Sequence, residues 1–194
     1  MHAHVDVNNL NSYLGRVSRS IAAGVLSRSL NQSAFELMRY QRNLIKTQLD
    51  RPTPFTVRGI VYEQATPSRL TSQVYIRPIQ TEYLKYQIYG GVRYPRRSRS
   101  IMVPGRDVHK NQYGNVPRGV LRRLKRQGAF YDRDGDTLLY RESNGNLLRL
   151  ASYRASTRYS PNRFRFFSDG TRFARYIIRQ KIDANTRRVL RNVT

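Results

Sequence analysis

Apolar residues in the first quarter of the chain recur at intervals of three to five, which is the spacing of one helix face. Gly24 and the triplet Asn31-Gln32-Ser33 interrupt this stripe. It therefore predicts two helices, with Ser33 as N-cap of the second, or one bent helix that ends before Arg51-Pro52. The apolar positions are Leu10, Tyr13, Leu14, Val17, Ile21, Val25, Leu30, Phe35, Met38, Ile45 and Leu49.

Alternating apolar and polar residues follow the Pro52-Thr53-Pro54 segment. Residues 55–63 and 70–77 are rich in β-branched and aromatic types, and the turn residues 65–68 separate them. This pattern predicts two antiparallel strands. A third apolar stretch, residues 83–89, runs into Gly90-Gly91, and its pattern fits a strand or a short helix.

Residues 92–118 show little apolar repetition and contain many Arg, Pro and Gly residues. Long unstructured runs inside compact domains are usually functional, so this segment is predicted to be a basic loop that becomes ordered on a partner. Residues 120–126 predict a short basic helix that Gly128 ends.

Two hairpin signals make residues 129–154 the clearest part of the sheet. Asp-Gly at 134–135 and Asn-Gly at 144–145 separate three apolar runs, which predicts a three-stranded meander. Apolar residues from Phe173 to Leu190 then predict a C-terminal helix. The expected class is α+β, with a long N-terminal helical segment, an antiparallel sheet with β-hairpins, and a C-terminal helix in one domain over residues 1–194.

Charge changes this picture of an ordinary small domain. The net charge is +24, and only five of the 36 basic residues are lysine, which leaves 31 arginines beside 14 tyrosines. Arginine matches phosphate and carboxylate with a planar fork of donors and also stacks on aromatic rings. Because self-repulsion at this charge disfavours a compact chain, a polyanion or an acidic partner is expected to supply the counter-charge.

Candidate catalytic and metal-binding patterns are weak. The chain has no cysteine, which excludes disulfides and thiolate chemistry. His2 and His4 lack the further ligands that a metal site needs. Asp132, Asp134 and Asp136 resemble calcium ligands, but Gly135 stands at the fourth loop position instead of the sixth, so a hairpin turn is predicted there. We therefore expect no enzyme activity, no cofactor and no metal.

No segment approaches the about 20 apolar residues of a membrane span, so no membrane association is expected. Candidate contacts to nucleic acid or to a partner are basic residues without a base-reading motif, which predicts binding without sequence preference. Bridging to acidic surfaces of neighbouring subunits is the open alternative. These residues are Arg93, Arg96, Arg97, Arg99, Arg118, Arg122, Arg123, Lys125, Arg126, Arg172, Arg175, Arg179, Arg187 and Arg188.

The order of features over about residues 20–120 resembles a family of tailed-bacteriophage proteins, the minor tail or tail-completion proteins similar to protein Z of phage lambda, together with related neck subunits. Residues 129–154 have no counterpart in that resemblance. The segments that carry it are Leu30-Asn31-Gln32-Ser33-Ala34, Asp50-Arg51-Pro52-Thr53-Pro54-Phe55-Thr56, Tyr83-Leu84, Gly90-Gly91-Val92-Arg93, Val103-Pro104-Gly105 and Gly114-Asn115-Val116-Pro117.

The resemblance implies a structural virion protein at the head–tail junction, assembled in the host cytoplasm. Such a subunit would join a homo-oligomeric ring, with six or twelve positions, between portal or adaptor proteins and tail proteins, close to packaged double-stranded DNA. The alternative class is a ribosome- or nucleoid-associated protein that binds RNA or DNA without sequence preference. Those proteins usually carry abundant lysine, whereas this chain is rich in arginine and tyrosine.

Overall fold

A computed structural model describes residues 7–96, 98–161 and 163–191, with side chains from Ser18 onward. The described residues form an α+β fold with a long N-terminal helix, antiparallel sheets and a C-terminal helix, which confirms the predicted class. The helices are α1 Val7–Gln48, α2 Pro54–Val57, α3 Pro78–Tyr89, α4 Val120–Arg126 and α5 Phe166–Arg191. The strands are β1 Ile60–Glu63, β2 Gln73–Ile76, β3 Gly91–Arg93, β4 Ile101–Pro104, β5 Phe130–Tyr131, β6 Thr137–Arg141, β7 Leu147–Arg154 and β8 Thr157–Tyr159.

The first helix, α1, continues through the triplet that was expected to interrupt it, so of the two alternatives a single helical segment is observed and two helices are not. Asn31 exchanges two hydrogen bonds with the backbone of Ala65, at 2.9 and 2.7 Å, and is therefore satisfied without leaving the helix. Ser33 is not an N-cap, because its hydroxyl donates to the Ser29 carbonyl at 2.7 Å inside the helix. The tertiary bonds of Asn31 and the intrahelical bond of Ser33 thus override the local preference of these residues for helix ends.

The residues group into two compact units. Among the described residues, the helical unit comprises residues 7–44, 58–80 and 165–191, and the sheet unit comprises residues 45–57, 81–96, 98–161, 163 and 164. The expectation of a single domain over the whole chain stays a prediction.

In the helical unit, α1 and α5 run antiparallel and share a polar seam. The Asn185 amide donates to the Ser29 hydroxyl and to Gln32 Oε1, both at 2.9 Å. Gln41 Nε2 donates to the Phe166 carbonyl at 2.7 Å. Since buried polar groups are stable only when they are paired, these bonds fix how the two helices register.

The hairpin of the helical unit confirms the predicted antiparallel pair, with shorter strands. β1 and β2 pair from Ile60 opposite Ile76 to Glu63 opposite Gln73. Residues 55–57 were expected to begin the first strand but lie in α2, where the Thr53 hydroxyl accepts from the Thr56 amide at 3.2 Å. Residues 83–89, which the pattern left open, lie in helix α3.

The sheet unit contains a four-stranded antiparallel sheet in the order β4-β7-β6-β5. Its core consists of Val108, Leu138, Leu150 and Ala151, each at most 4% exposed. The predicted meander of residues 129–154 is confirmed as β5, β6 and β7. The Asp132–Asp136 segment forms the expected turn, in which Asp132 Oδ1 accepts from the amides of Asp136 and Thr137 at 3.1 Å.

Two predicted boundaries need correction. The predicted loop of residues 92–118 contains β4, the end of β3 and the buried Val108, so among its described residues only 94–96, 98–100 and 105–118 are irregular. Its strands are too short to show a period, and their partners lie far along the chain. α5 begins at Phe166, earlier than the predicted Phe173, because Gly170 packs in the helix against Gln41 instead of ending it.

Candidate nucleic-acid interface

The arginine-rich segment Tyr94 to Ser100, here named the arginine loop, stands on a stem of paired strands. β3 pairs with β8, ending with Arg93 opposite Thr157. β4 pairs with β7, beginning with Ile101 opposite Arg154. The loop's seven residues therefore face only residues 155 and 156 on the other strand. The loop therefore connects strands of two different sheets, and a strand pairing holds each of its ends.

The side chains of the arginine loop point largely into solvent. Tyr94 is 65% exposed, and Arg99 is exposed with no hydrogen bond or ion pair to any described residue. Arg96 Nη1 lies 2.5 Å from Glu82 Oε1, and this hydrogen bond raises the pKa of the arginine. Arg97 lies outside the described residues. The loop thus offers at least two charged guanidinium groups from a backbone that strands hold at both ends.

Arg154 and Arg158 flank the arginine loop and were missed by the sequence analysis. Arg154 lies opposite Ile101 and Arg158 lies opposite Val92, so both are next to the loop on the partner strands. Both are exposed, and neither forms an ion pair with a described residue. Only the strand pairing brings them to the loop, and no local signal in the sequence reveals that pairing.

Helix α4 presents a second basic surface in the sheet unit. Its apolar residues Val120, Leu121 and Leu124 pack against the core of the sheet. Its basic residues are all exposed, namely Arg122, Arg123, Lys125 and Arg126. Arg118, just before the helix, is exposed as well. Cations in the last turn interact favourably with the helix C-terminus, which supports a helix this short and this charged.

One lysine of α4 has an internal partner. Lys125 Nζ lies 2.6 Å from the Tyr131 hydroxyl and 4.8 Å from the centre of its ring. Hydrogen bonding to Lys125 lowers the pKa of Tyr131, whereas burial raises the pKa of its neighbour Tyr153 to about 12. Lys125 is therefore positioned by the sheet, and the arginines of α4 are freer to reach a ligand.

The remaining predicted contacts lie on α5, in the helical unit. Ile177 and Asn185 form the buried side of this helix, at 5% and 6% exposure. The exposed side carries Tyr176 and Leu190, at 62% and 60% exposure. The same helix carries the exposed predicted residues Arg172, Arg175, Arg179, Arg187 and Arg188. The thirteen described residues of the predicted set thus fall on two units, eight in the sheet unit and five in the helical unit.

Carboxylates neutralise few of these cations. Ion pairs between described residues include those of Arg51, Arg69, Arg96, Arg106, Arg165 and Lys181, and of these six only Arg96 belongs to the predicted contacts. The Asp107 carboxylate accepts the Arg149 amide at 2.9 Å, and this bond lowers its pKa. The acidic residues therefore serve turns and strand ends more than they neutralise the arginine surfaces.

Within the described part of the chain, no group of three or more His, Asp or Glu side chains is placed to hold a metal ion. The His2 and His4 pair lies outside the described residues. None of the described helices is long and apolar enough to cross a membrane.

No protein-family model matches this chain, and no curated protein and no solved structure matches it either.

Proposed function

We propose that this protein is a non-catalytic structural subunit that holds duplex nucleic acid through exposed arginines, without reading its sequence. The arginine loop on its strand stem is the observation that carries the proposal. Its described arginines, Arg96 and Arg99, are exposed, two strand pairings support the loop, and Arg154 and Arg158 lie beside it. Arginine held in this way suits the phosphate backbone, which dominates binding that is independent of sequence.

Helix α4 supports the same proposal. It adds exposed cations in the same unit, and its apolar face is already used by the core of the sheet. A helix that reads bases enters the major groove with several side chains directed at base edges, whereas α4 has seven residues and offers mainly charge. Contacts of this kind favour affinity over specificity.

The setting that we propose is the head–tail junction of a tailed bacteriophage, where the protein would be one subunit of a six- or twelve-membered ring. This setting rests on the resemblance of residues 20–120 to tail-completion and neck proteins. The charge agrees with it, because a ring beside the DNA channel faces a dense polyanion. Portal or adaptor proteins and tail proteins would be its neighbours.

Binding to duplex DNA can be tested by fluorescence anisotropy with two unrelated duplexes at about 50 and 200 mM salt. We expect similar affinities for both sequences and a steep loss at the higher salt. A strong preference for one duplex that persists at 200 mM salt would contradict the proposal. Failure to bind either duplex, combined with tight binding to an acidic protein surface, would favour the alternative role of the arginines.

Ring formation needs a separate measurement. Mass photometry of the purified protein, alone and mixed with candidate portal and tail proteins, should show discrete higher-order particles because ring subunits use heterologous interfaces that close by rotation. Monomers in every mixture would remove the ring from the proposal. Co-purification with ribosomes or bulk nucleoid DNA would instead favour the ribosome- or nucleoid-associated class.

A further inference from the structure

A cleft of about 550 Å³ opens in the sheet unit, and none of its lining residues belongs to the arginine loop. Its walls come from residues 48–56, from the side chains of α3, from the turn at residues 113–115 and from Arg163. Ligand pockets in proteins typically have volumes of about 300–1,000 Å³. The cleft is therefore large enough for one nucleotide.

Two arginines give this cleft a cationic side. Arg51 is the one described non-glycine residue with positive φ, at 43°, although it precedes Pro52. Such a conformation costs about 1–3 kcal/mol and persists where the surroundings hold it, often at binding sites. Its guanidinium contacts Asp50 through Nε and Nη2, at 3.2 and 3.3 Å. Arg163 is exposed and forms no hydrogen bond or ion pair with a described residue.

Aromatic side chains form another part of the lining. Phe55 is 57% exposed, and Tyr83 and Tyr113 also line the cleft. Asn111 Oδ1 accepts from the amides of Tyr113 and Asn115, both at 3.0 Å, and so fixes the turn that carries Tyr113. Aromatic faces bind unpaired bases by stacking, largely independently of base identity.

A chain of hydroxyl groups orients the ring of Tyr83. The Tyr83 hydroxyl lies 3.0 Å from Thr56 Oγ1, which lies 3.0 Å from Thr53 Oγ1. Because Thr56 is almost fully buried, this chain fixes one aromatic wall before any ligand arrives. A side chain that is already held in its binding orientation loses less conformational entropy when the ligand binds.

We propose that this cleft binds one unpaired nucleotide, with its phosphate on Arg51 and Arg163 and its base against the aromatic side chains. The inference rests on the proposed function, since it specifies a second kind of contact to the same nucleic acid, at a strand end or an unpaired position. A free mononucleotide has the same chemistry as a strand terminus, and the experiment below separates the two sources.

The test uses the full chain and a labelled single-stranded tetranucleotide with a 5′-phosphate, measured by fluorescence anisotropy at about 200 mM salt, where non-specific contacts are weakened. Two substitutions remove the cationic side. Arg163→Gln removes an exposed charge, and Arg51→Gly removes the other because glycine adopts a φ of 43° without strain. Arg133→Gln, an exposed arginine of the β5–β6 turn, is the matched control.

We expect each cleft substitution to weaken binding of the phosphorylated tetranucleotide about tenfold, as the loss of a charge-assisted hydrogen bond does, and the control to change it less than twofold. Removal of the 5′-phosphate should weaken wild-type binding similarly. Equal effects of cleft and control substitutions, or no effect of removing the phosphate, would overturn the proposal.

Competitors identify the source of the nucleotide. Competition by a deoxynucleoside monophosphate that is sensitive to both cleft substitutions supports a single-nucleotide site open to free nucleotides, and competition by the oligonucleotide alone supports a strand end. If inorganic phosphate competes as strongly as the monophosphate, the base contributes nothing to binding and the proposal is overturned. Duplex affinity should stay within twofold of the wild-type value in both cleft variants. If the wild-type protein does not bind duplex DNA at all, the proposed function fails independently of the cleft.

Discussion

The arginine loop and the exposed face of α5 both present arginine side chains, but paired strands support the loop and a helix supports the face. On α5, the helix period alone places Arg172, Arg175 and Arg179 on one side, opposite the buried Ile177. In the arginine loop, the positions of the arginines depend on strand partners far along the chain, which also bring Arg154 alongside. A basic helix face can therefore be predicted locally, whereas a basic loop becomes a site only through the fold that holds its ends.

The two supports also differ in what surrounds the arginines. The α5 face is interspersed with the exposed Tyr176 and Leu190, a mixture that suits a protein interface as well as a polyanion. The loop has the stem arginines Arg154 and Arg158 beside it and carries the exposed Tyr94. If both surfaces bound nucleic acid through charge alone, they should contribute equally per arginine.

A substitution at Gly105, directly after β4, is expected to have the largest effect on the stability of the strand stem. Its amide donates to the Leu150 carbonyl at 2.8 Å, and a Cβ there would overlap the backbone carbonyl of Arg149. Because backbone cannot move aside cheaply, we expect Gly105→Ala to lower the free energy of unfolding by about 3 kcal/mol. Denaturant unfolding measures this loss, and duplex affinity should fall with it.

Gly24→Ala in α1 is the control for this change. A Cβ at Gly24 meets no atom within 4 Å, so alanine should raise the stability by up to about 1 kcal/mol through helix propensity. Comparable stabilities of the two variants would show that the end of β4 is not tightly held.

Substituting three arginines at a time compares the two surfaces directly. We expect the loop variant, with Arg96, Arg97 and Arg99 all changed to Gln, to lose about 150-fold in duplex affinity at low salt, at roughly 1 kcal/mol per lost contact. The matched α5 variant, with Arg172, Arg175 and Arg179 changed to Gln, should lose less than about fivefold. Anisotropy titrations measure both, and equal losses would mean that total charge decides and the stem does not matter.

The polar seam of the helical unit should affect stability without affecting binding at the loop. Asn185→Ala removes the donor shared by Ser29 and Gln32 and leaves Gln32 Oε1 without that bond. We expect the free energy of unfolding to fall by about 1–2 kcal/mol, with duplex affinity unchanged. Thr186→Ala, at an exposed neighbouring position, should change stability by less than about 0.5 kcal/mol. A loss of duplex affinity in the Asn185 variant would contradict the separation of the two surfaces.

The smallest expected effect concerns pH and Asp107 in the sheet unit. The Arg149 amide, with further help from Arg106, lowers the pKa of this carboxyl group. Its stabilising contribution is therefore present above the unfolded value of about 3.9 and is lost as the pH falls through the lower folded value. Asp107→Asn should flatten the loss of stability between about pH 5 and pH 2. An identical pH profile for the variant would show that the bond contributes nothing.

The sequence predicts elements better where their signals are local. Asp-Gly and Asn-Gly turns marked the β5–β7 meander, and periodic apolar residues marked α1 and α5. β3, β4 and β8 were missed as strands because three or four residues show no period and pair only after the chain has folded. Asn31 was wrongly predicted to interrupt α1. It is a residue type common at helix ends, but a distant partner in the helical unit, Ala65, satisfies its side-chain hydrogen bonds within the helix.

The candidate site was predicted as a set of arginines without geometry. Charge and residue type singled out Arg96 and Arg99, but the strand pairing that supports them was invisible, and so were Arg154 and Arg158 beside them. The cleft near Arg51 was missed as well, because its lining comes from four separate segments. Residue type thus predicts what a surface can bind, and the fold decides which residues act together.

The dependence of duplex affinity on salt tests the central claim, charge-driven binding through the arginine loop, most directly. The logarithm of the association constant should fall linearly with the logarithm of the salt concentration in the wild type. The slope should become shallower by about 0.9 for each phosphate contact that the Arg96, Arg97 and Arg99 variant loses. A wild-type slope near zero, or an unchanged slope in the folded loop variant, would contradict the account.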